Sequence, residues 1–328
     1  MEFILSLDGE VDWVALSFVQ QPADMVEFRK LAGDKVKIMA KLEKPSAIES
    51  LSEVKLRIVG IFHTYLYILT NIYIYACVCV QIVELSDGIM VARGDLAVEI
   101  GDAELVGVQK HIINRARALN TVVITATQMM ESMIENPMPT RAEVSDVANA
   151  VMDYTDAVML SAETAVGDYP TEAVEAMVRI CMGAEKHPSM HQSKHRIHES
   201  MEHVDEAIAL SAMYAANHLD GVTSIICMSE TGATPLLMSR IKSSLPIFAF
   251  SRNHSTQHRV TMFRGVQTVP FDSATIPPEQ TNSRAVAELV RMGAVKEGDL
   301  VVITKGDYVN AQGGTNTMKI VRVGADIR

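Results

Sequence analysis

Residues 88–95 read Gly-Ile-Met-Val-Ala-Arg-Gly-Asp, which is a run of four apolar side chains followed by a base, a glycine and an acid. A short apolar run that stops at polar residues and leads into a helical pattern predicts a buried strand of a parallel βα unit. The same pattern recurs on both sides of this stretch. The other predicted strands are 12–18, 36–43, 121–127 and 156–163. Five such units in succession predict an α/β fold.

Each predicted strand from the second onward ends in polar or charged side chains. These are Lys41 and Glu43, Arg93 and Asp95, Thr127, and Ser161 and Glu163. Parallel βα units gather the carboxyl ends of their strands at one edge, where barrel enzymes hold their active sites. Helix N-caps would account for some of the hydroxyl and acidic residues, but not for Lys41, because a cation is unfavourable at a helix N-terminus. The pattern therefore favours a catalytic edge.

The composition is that of a folded protein with an acidic surface. The chain has 328 residues, of which 48% are hydrophobic, a net charge of −11 and a pI near 5.4. This is enough apolar sequence for two domains, and the negative charge argues against a nucleic-acid partner. Four cysteines without paired spacing favour a reducing, cytoplasmic setting. The acidic N-terminus does not have the pattern of a targeting signal.

A second α/β region follows a polar connector. His187, His191 and His195 fall at four-residue spacing in the connector, but solvated linker histidines are commoner than a metal site there. Beyond it, helical and apolar segments alternate and predict a smaller α/β domain. Its predicted strands are 224–228, 246–250, 266–269, 300–304 and 318–323.

Five segments resemble the pyruvate kinase family and occur in the family's order. They are MAKLEK at 39–44, SDGIMVARGDL at 86–96, TATQM at 125–129, PTRAEVSDVAN at 139–149 and MLSAETA at 159–165. The resemblance implies a partial (β/α)8 TIM barrel of about strands 4–8 over 1–185, a linker over 186–205 and a regulatory α/β domain over 206–328. It also implies transfer of a phosphoryl group from phosphoenolpyruvate to ADP, which yields pyruvate and ATP in glycolysis.

The resemblance assigns the binding of metal and phosphate to the first strand ends. Glu43 and Asp95 would hold Mg²⁺ through their carboxylates. Lys41 would neutralise the phosphoryl group as it is transferred. The backbone amides of Arg93, Gly94 and Asp95 would bind the carboxylate of the substrate at a helix N-terminus.

The later strand ends would serve the proton that converts enolpyruvate to pyruvate. Thr127 would contact the substrate at its enolate face and belong to the proton relay. Ser161 and Glu163 would extend that relay. Arg141, in the Pro-Thr-Arg segment, would serve a subunit interface or the loop itself, and has no catalytic role.

The stretch 229–234, Ser-Glu-Thr-Gly-Ala-Thr, resembles the family's effector loop. Its hydroxyls and free amides would cradle a phosphate, although an ordinary N-cap turn is the alternative. The residues assigned to the effector are Ser229, Thr231, Gly232 and Thr234. Glu230 stands where members activated by a sugar bisphosphate often have a base, which favours a sugar monophosphate or a nucleotide monophosphate.

The chain departs from the family pattern in two ways. It begins near the fourth barrel strand, so the ligands for K⁺ and much of the nucleotide contact have no counterpart, and we expect residues 1–328 alone to be inactive. Residues 58–83 also contain no Asp, Glu, Lys or Arg. This length would span a bilayer, but the flanks lack the basic bias of a membrane segment, so no membrane partner is expected. We interpret 54–81 as an atypical apolar insertion or a retained intron, which a transcript read across the junction would distinguish.

Two other interpretations of the sequence stay open. A Mg²⁺-dependent lyase of pyruvate-like acids would also use a pair of carboxylates at strand ends, and dependence on ADP would separate it from a kinase. A non-catalytic fragment that binds phosphorylated metabolites through 229–234 would show ligand-induced stabilisation without turnover. The resemblance further implies a homotetramer for the full-length parent.

Overall fold

The structure is a computed structural model that describes residues 11–34, 36–48, 78–191, 201–307 and 314–325. Two compact units divide the chain, Met1–Ala184 and Glu185–Arg328. Residues 54–77 of the predicted insertion and His195 of the connector lie outside the described residues.

The first unit contains a five-stranded parallel sheet in the order β1–β2–β3–β4–β5. Its strands are β1 (Trp13–Leu16), β2 (Lys37–Leu42), β3 (Gly88–Ala92), β4 (Val122–Ala126) and β5 (Ala157–Met159). Its helices are α1 (Pro22–Ala32), α2 (Val78–Glu84), α3 (Arg93–Ile100), α4 (Asp102–Ala118), α5 (Arg141–Met152), α6 (Ala162–Ala165) and α7 (Pro170–Glu185). The predicted α/β class and the five strand positions are confirmed. Sequential parallel strands alternating with helices form the arc expected of a partial (β/α)8 barrel.

The central strands β3 and β4 are buried at every position, which explains why their sequences are apolar without alternation. Gly88 opens β3 where a Cβ atom would lie 3.0 Å from both Met39 and Trp13 side-chain atoms, so any larger residue would require these side chains to shift. All five strands end before their predicted ends, and β3 and β5 do so by three and four residues. Arg93 begins α3 instead of continuing β3, and Ser161 precedes the short helix α6.

Helix α2 contains the end of the predicted insertion. Residues 78–81 form its first turn, and Cys79 and Val80 are buried in the core of the first unit together with Ile82 and Val83. The predicted boundary after Gln81 therefore falls inside a packed helix.

The second unit has a mixed sheet in the order β10–β9–β6–β7–β8, in which only the pairing of β10 with β9 is antiparallel. Its strands are β6 (Val222–Met228), β7 (Ile247–Ser251), β8 (Val266–Pro270), β9 (Leu300–Gly306) and β10 (Thr315–Arg322). Its helices are α8 (Val204–His218), α9 (Ala233–Ser239), α10 (His254–Val260) and α11 (Pro278–Arg291). The strand order reverses beside β6, and such reversal points open a crevice at the carboxyl ends of the strands. In the described ranges, no helix has the length and apolarity needed to cross a membrane.

Asp87 joins three elements at the amino end of the first sheet. Its carboxylate binds Arg29 of α1 and Lys37 of β2, the latter at 2.5 Å, and accepts the Ile38 amide at 3.0 Å. Burial raises the pKa of the Asp87 carboxyl, but the hydrogen bonds from Lys37, Arg29 and Ile38 outweigh burial and hold the pKa below its usual value.

We expect Asp87→Asn to lower the free energy of unfolding at neutral pH by about 2–3 kcal/mol, because two cations lose their partner in a partly screened site. Since the folded-state pKa is depressed, the contribution is complete above the unfolded pKa of about 4 and disappears as pH falls through the folded value. Urea unfolding at pH 7 and at about pH 3 measures both effects. Asp34→Asn, at an exposed position, is the control. An equal difference at both pH values would contradict the linkage.

Candidate functional site

The parallel register brings the predicted site residues to one edge of the first sheet. Leu42 of β2 is level with Val91 of β3, and Ala92 of β3 is level with Ala126 of β4. Because Glu43, Arg93 and Thr127 each follow within one or two residues, they emerge at neighbouring strand ends. Met159 of β5 is paired with Ala126, which adds Ser161 to the same edge.

Lys41 and Glu43 form an ion pair at this edge. Lys41 Nζ lies 2.5 Å from Glu43 Oε1 and donates a hydrogen bond to Ser17 Oγ at 3.0 Å. The other carboxylate oxygen of Glu43 accepts the Phe18 amide at 2.7 Å. The sequence did not single out Ser17 and Phe18, although they close the predicted strand 12–18, whose end lies at the same edge. They fix the lysine and the carboxylate before any ligand is present.

Glu43 and Asp95 fit the carboxylate pair expected for a hard cation. Glu43 is fully buried, and its Oε1 lies 2.5 Å from Lys41 Nζ with no other polar partner among the described residues. Asp95 lies exposed in the first turn of α3. A buried carboxylate oxygen that faces only a cation also suits a metal ligand, and Mg²⁺ commonly takes one or two carboxylates with substrate and water oxygens. Clusters of three or more His, Cys, Asp or Glu side chains that could hold a metal ion are absent from the described ranges.

Lys44 lies close enough to the Glu43 and Asp95 carboxylates to be affected by their charges. Its ammonium group lies 2.5 Å from Glu99 of α3. The hydrogen bond with Glu99 raises the pKa of Lys44 most strongly, and the charges of Asp95 and Glu43 raise it further. Asp95 and Glu43 therefore act on the same neighbouring cation, although they come from different strand ends.

Thr127 follows β4 in a left-handed conformation with φ of 67°. Its hydroxyl donates to the Ala126 carbonyl at 2.6 Å and accepts the Gly94 amide at 2.7 Å. The Gly94 amide was predicted to bind the carboxylate of the substrate, so the Thr127 hydroxyl has to release it for that role. The two predicted site residues are thus in direct contact.

Ser161 and Glu163 lie at the end of β5, where Glu163 is buried. The carboxylate of Glu163 accepts the Met130 amide at 3.1 Å and the Ser161 amide at 2.8 Å. These contacts tie the ends of β4 and β5 together, which is a structural role. The part of Ser161 and Glu163 in a proton relay stays a prediction. Arg141 is exposed at the start of α5, behind a capping box formed by Thr140 and Glu143.

The effector stretch lines a cavity of about 320 Å³ at the carboxyl ends of β6, β7 and β9. Gly232 has φ of 82°, and a Cβ atom there would lie 2.9 Å from Val260, so this turn requires glycine. Ser229 Oγ accepts the Gly232 amide at 2.9 Å, and the Thr234 hydroxyl lies 2.8 Å from that of Thr315. Thr231 also lines the cavity.

The cavity is lined by both an acidic residue, Glu230, and basic residues, Arg252 and Lys305. Glu230 accepts hydrogen bonds from Arg252 Nε at 3.2 Å and from Asn253 Nδ2 at 2.9 Å. Lys305, at the end of β9, lines the same cavity. The sequence identified Glu230 but did not predict its pairing with Arg252, which comes from the next strand end.

Comparisons with known proteins agree with these features. A family model described as "Pyruvate kinase, barrel domain" matches residues 76–174, and one described as "Pyruvate kinase, alpha/beta domain" matches 206–321. The "Pyruvate kinase" of Buchnera aphidicola subsp. Baizongia pistaciae is 49% identical over 98% of this chain and 62% of its own length. This chain belongs to the pyruvate kinase family. The "Pyruvate kinase II" of Salmonella typhimurium is 51% identical over 95% of this chain.

The solved structures include a pyruvate kinase from Cryptosporidium parvum that superimposes with a TM-score of 0.78 and 34% identity over 97% of this chain. The match covers 60% of that structure, and the chain likewise spans about 60% of the length of the pyruvate kinases from Buchnera and Salmonella. The family generally uses Mg²⁺ and K⁺. The predicted family and the predicted partial barrel with a second α/β domain are therefore confirmed.

Proposed function

We propose that the protein to which this chain belongs transfers a phosphoryl group from phosphoenolpyruvate to ADP, which yields pyruvate and ATP in the cytoplasm. The observation that carries the proposal is the convergence of Lys41, Glu43, the 93–95 turn and Thr127 at one edge of a parallel sheet. A cation, a buried carboxylate, backbone amides at a helix start and a hydroxyl within one site suit an anionic substrate that carries a phosphate and a carboxylate.

Glu43 and Asp95 would hold Mg²⁺, with no other protein ligand assigned. When bound, Mg²⁺ supplies charge neutralisation between the two substrates. Lys41 places its ammonium group beside that pair and stabilises the negative charge spread over the phosphoryl oxygens. We assign no residue of this chain to K⁺.

Thr127 would act in the second half of the reaction, when the enolate accepts a proton. Its hydroxyl is held by Ala126 and Gly94, so it points along the edge where the 93–95 amides would bind the substrate carboxylate. A hydroxyl fixed near the enolate face can pass a proton from solvent, with Ser161 and Glu163 further along the edge.

ATP formation from phosphoenolpyruvate and ADP tests the proposed reaction. The assay protein is a fusion of residues 1–328 to the N-terminal part of the Salmonella typhimurium relative, which supplies the length that this chain does not span. We expect Mg²⁺-dependent ATP formation by the fusion, whereas residues 1–328 alone are expected to be inactive. A folded fusion that makes no ATP would contradict the proposal. Cleavage of a pyruvate-like acid without ADP would favour the lyase.

We further propose that the cavity beside residues 229–234 binds a sugar monophosphate or a nucleotide monophosphate as effector. Ser229, Thr231 and Thr234 line this cavity and would surround the phosphate, together with Gly232 of the same turn. Glu230 already engages Arg252, so Lys305 is the cation best placed for a single phosphate, and a second phosphate would face the Glu230 carboxylate. The full-length protein would assemble as a homotetramer, as the resemblance implies.

We expect Lys305→Met to weaken binding of glucose 6-phosphate or AMP by about tenfold, because one charge-assisted hydrogen bond is lost. Calorimetry with these two ligands and with fructose 1,6-bisphosphate measures the effect and the preference. Lys296→Met, at an exposed lysine before β9, is the matched control. Unchanged affinity in Lys305→Met, or tighter binding of the bisphosphate by the unsubstituted chain, would contradict the assignment.

A further inference from the structure

Two consecutive residues after β4 adopt a conformation that side chains disfavour. Thr127 has φ of 67° and Gln128 has φ of 52°, and neither is glycine. For a β-branched residue such as Thr127 this left-handed region is a genuine outlier. Outliers of this kind persist only where surrounding contacts hold them. The turn 127–128 therefore needs an external restraint.

The side chain of Arg93 contacts this turn directly. Its Nε and Nη2 donate to the Thr127 carbonyl at 3.2 and 2.9 Å, and Nη2 also donates to the Gln128 carbonyl at 3.0 Å. Nη1 pairs with Asp146 of α5 at 2.6 Å. Arg93 is only 4% exposed, whereas the side chain of Asp146 is 39% exposed, so the Arg93 side of these bonds is the buried one.

The planar guanidinium is suited to this task because its donors diverge in a fixed fork that can bridge two successive carbonyl oxygens. Of the four nitrogen–oxygen hydrogen bonds that the Arg93 side chain makes with the described residues, three go to the backbone of the turn and one goes to Asp146. A side chain that served only as a partner for Asp146 would not need to bind the strained carbonyls. The contacts with the turn are therefore the main use of the side chain.

We propose that Arg93, oriented by Asp146, is a positioning residue that holds 127–128 in the left-handed conformation and thereby sets the Thr127 hydroxyl against the Gly94 amide. The consequence for catalysis rests on the proposed function, in which Thr127 serves the proton step. The sequence assigned a role only to the backbone amide of Arg93, whereas its side chain binds the carbonyl groups of Thr127 and Gln128.

The test uses residues 1–328 and couples Arg93 to Gln128. Arg93→Lys keeps the charge for Asp146 but loses the fork, so we expect amide hydrogen exchange at Gly94 to accelerate roughly tenfold and the melting temperature to fall by about 2–4 °C. Gln128→Gly accepts positive φ without strain, so adding it to Arg93→Lys should restore most of both losses. A lost ion pair alone would show no such rescue.

Three controls keep the result interpretable. Gln128→Ala removes the same side chain without accepting positive φ, so it should not rescue. Asn120→Gly relieves another positive φ, of 58°, away from Arg93, so its effect should add independently. The Gly101 amide, bonded to Ala97 in the same helix, should keep its exchange rate. If Arg93→Lys unfolds, Asp146→Asn replaces it and should show the same rescue in smaller measure.

Rescue by Gln128→Gly that is absent with Gln128→Ala would support the positioning role of Arg93. Additive effects of Arg93→Lys and Gln128→Gly on exchange and melting temperature would overturn it. In the ATP-forming fusion, Arg93→Lys should lower kcat by up to about a hundredfold. If Arg93→Lys combined with Thr127→Ala lowers kcat no more than Thr127→Ala alone, the two residues act in one step. If the two losses of kcat multiply, that link would be overturned. A fusion without any activity would count against the proposed function, and the exchange data would still test whether Arg93 positions residues 127–128.

Discussion

Replacing Lys41 by Met is expected to slow phosphoryl transfer by about a thousandfold or more, while enolpyruvate is still converted to pyruvate. Lys41 is the cation beside the Glu43 carboxylate, and the loss of a fixed positive charge near a transferring phosphoryl group typically has an effect of this size. In the proposed function, proton delivery depends on Thr127, two strands away, so it should continue. ATP formation and the ketonisation of enolpyruvate, measured in the same fusion, separate the two steps.

The control is Lys30→Met, which removes an exposed lysine of α1 with the same change in charge and volume. Thermal unfolding of both variants checks that the loss of activity is not a loss of fold, since Lys41→Met also leaves the buried Glu43 without its ion pair. Transfer at the original rate would remove Lys41 from the mechanism. Equal loss of both steps would show that the lysine organises the whole edge.

Glu43→Gln is expected to weaken Mn²⁺ binding, used as a spectroscopic substitute for Mg²⁺, by about a hundredfold. The amide keeps the shape of the side chain but removes the negative charge of the buried carboxylate that faces Lys41. Electron paramagnetic resonance titration of residues 1–328 measures the affinity directly and does not require turnover.

Glu27→Gln, at an exposed position of α1, is the matched control for the change in charge. The variant keeps an acceptor for the Phe18 amide, so the loop after β1 should stay in place. Unchanged Mn²⁺ affinity in Glu43→Gln would contradict its role as a ligand and leave Asp95 as the only assigned carboxylate.

The sequence predicted the strands well because each is an uninterrupted apolar run in a repeated unit. It did not predict where β3 and β5 end, since Ala92 and Ala162 are as compatible with a helix as with a strand. The change at Arg93 depends on packing. The apolar pattern also could not show that residues 78–81 pack into the core as part of α2.

The sequence predicted the individual residues of the candidate site. It did not predict the contacts between them. Lys41, Glu43, Asp95 and Thr127 could be identified because they end strands of a parallel sheet. The support from Ser17 and Phe18, the bond between Thr127 and Gly94, and the pairing of Glu230 with Arg252 depend on neighbours distant in the sequence. These contacts follow from the register of adjacent strands, and the register cannot be deduced from the residues of a single sequence.

The ion pair between Lys41 and Glu43 has a kinetic consequence. One carboxylate oxygen cannot lie at contact distance from an ammonium group and coordinate a divalent ion with full strength at the same time. The resting site is therefore self-neutralised, and its affinity for an anion should be low until the carboxylate changes partner. In the proposed function, binding of the divalent cation to Glu43 would then free Lys41 for the phosphorylated substrate.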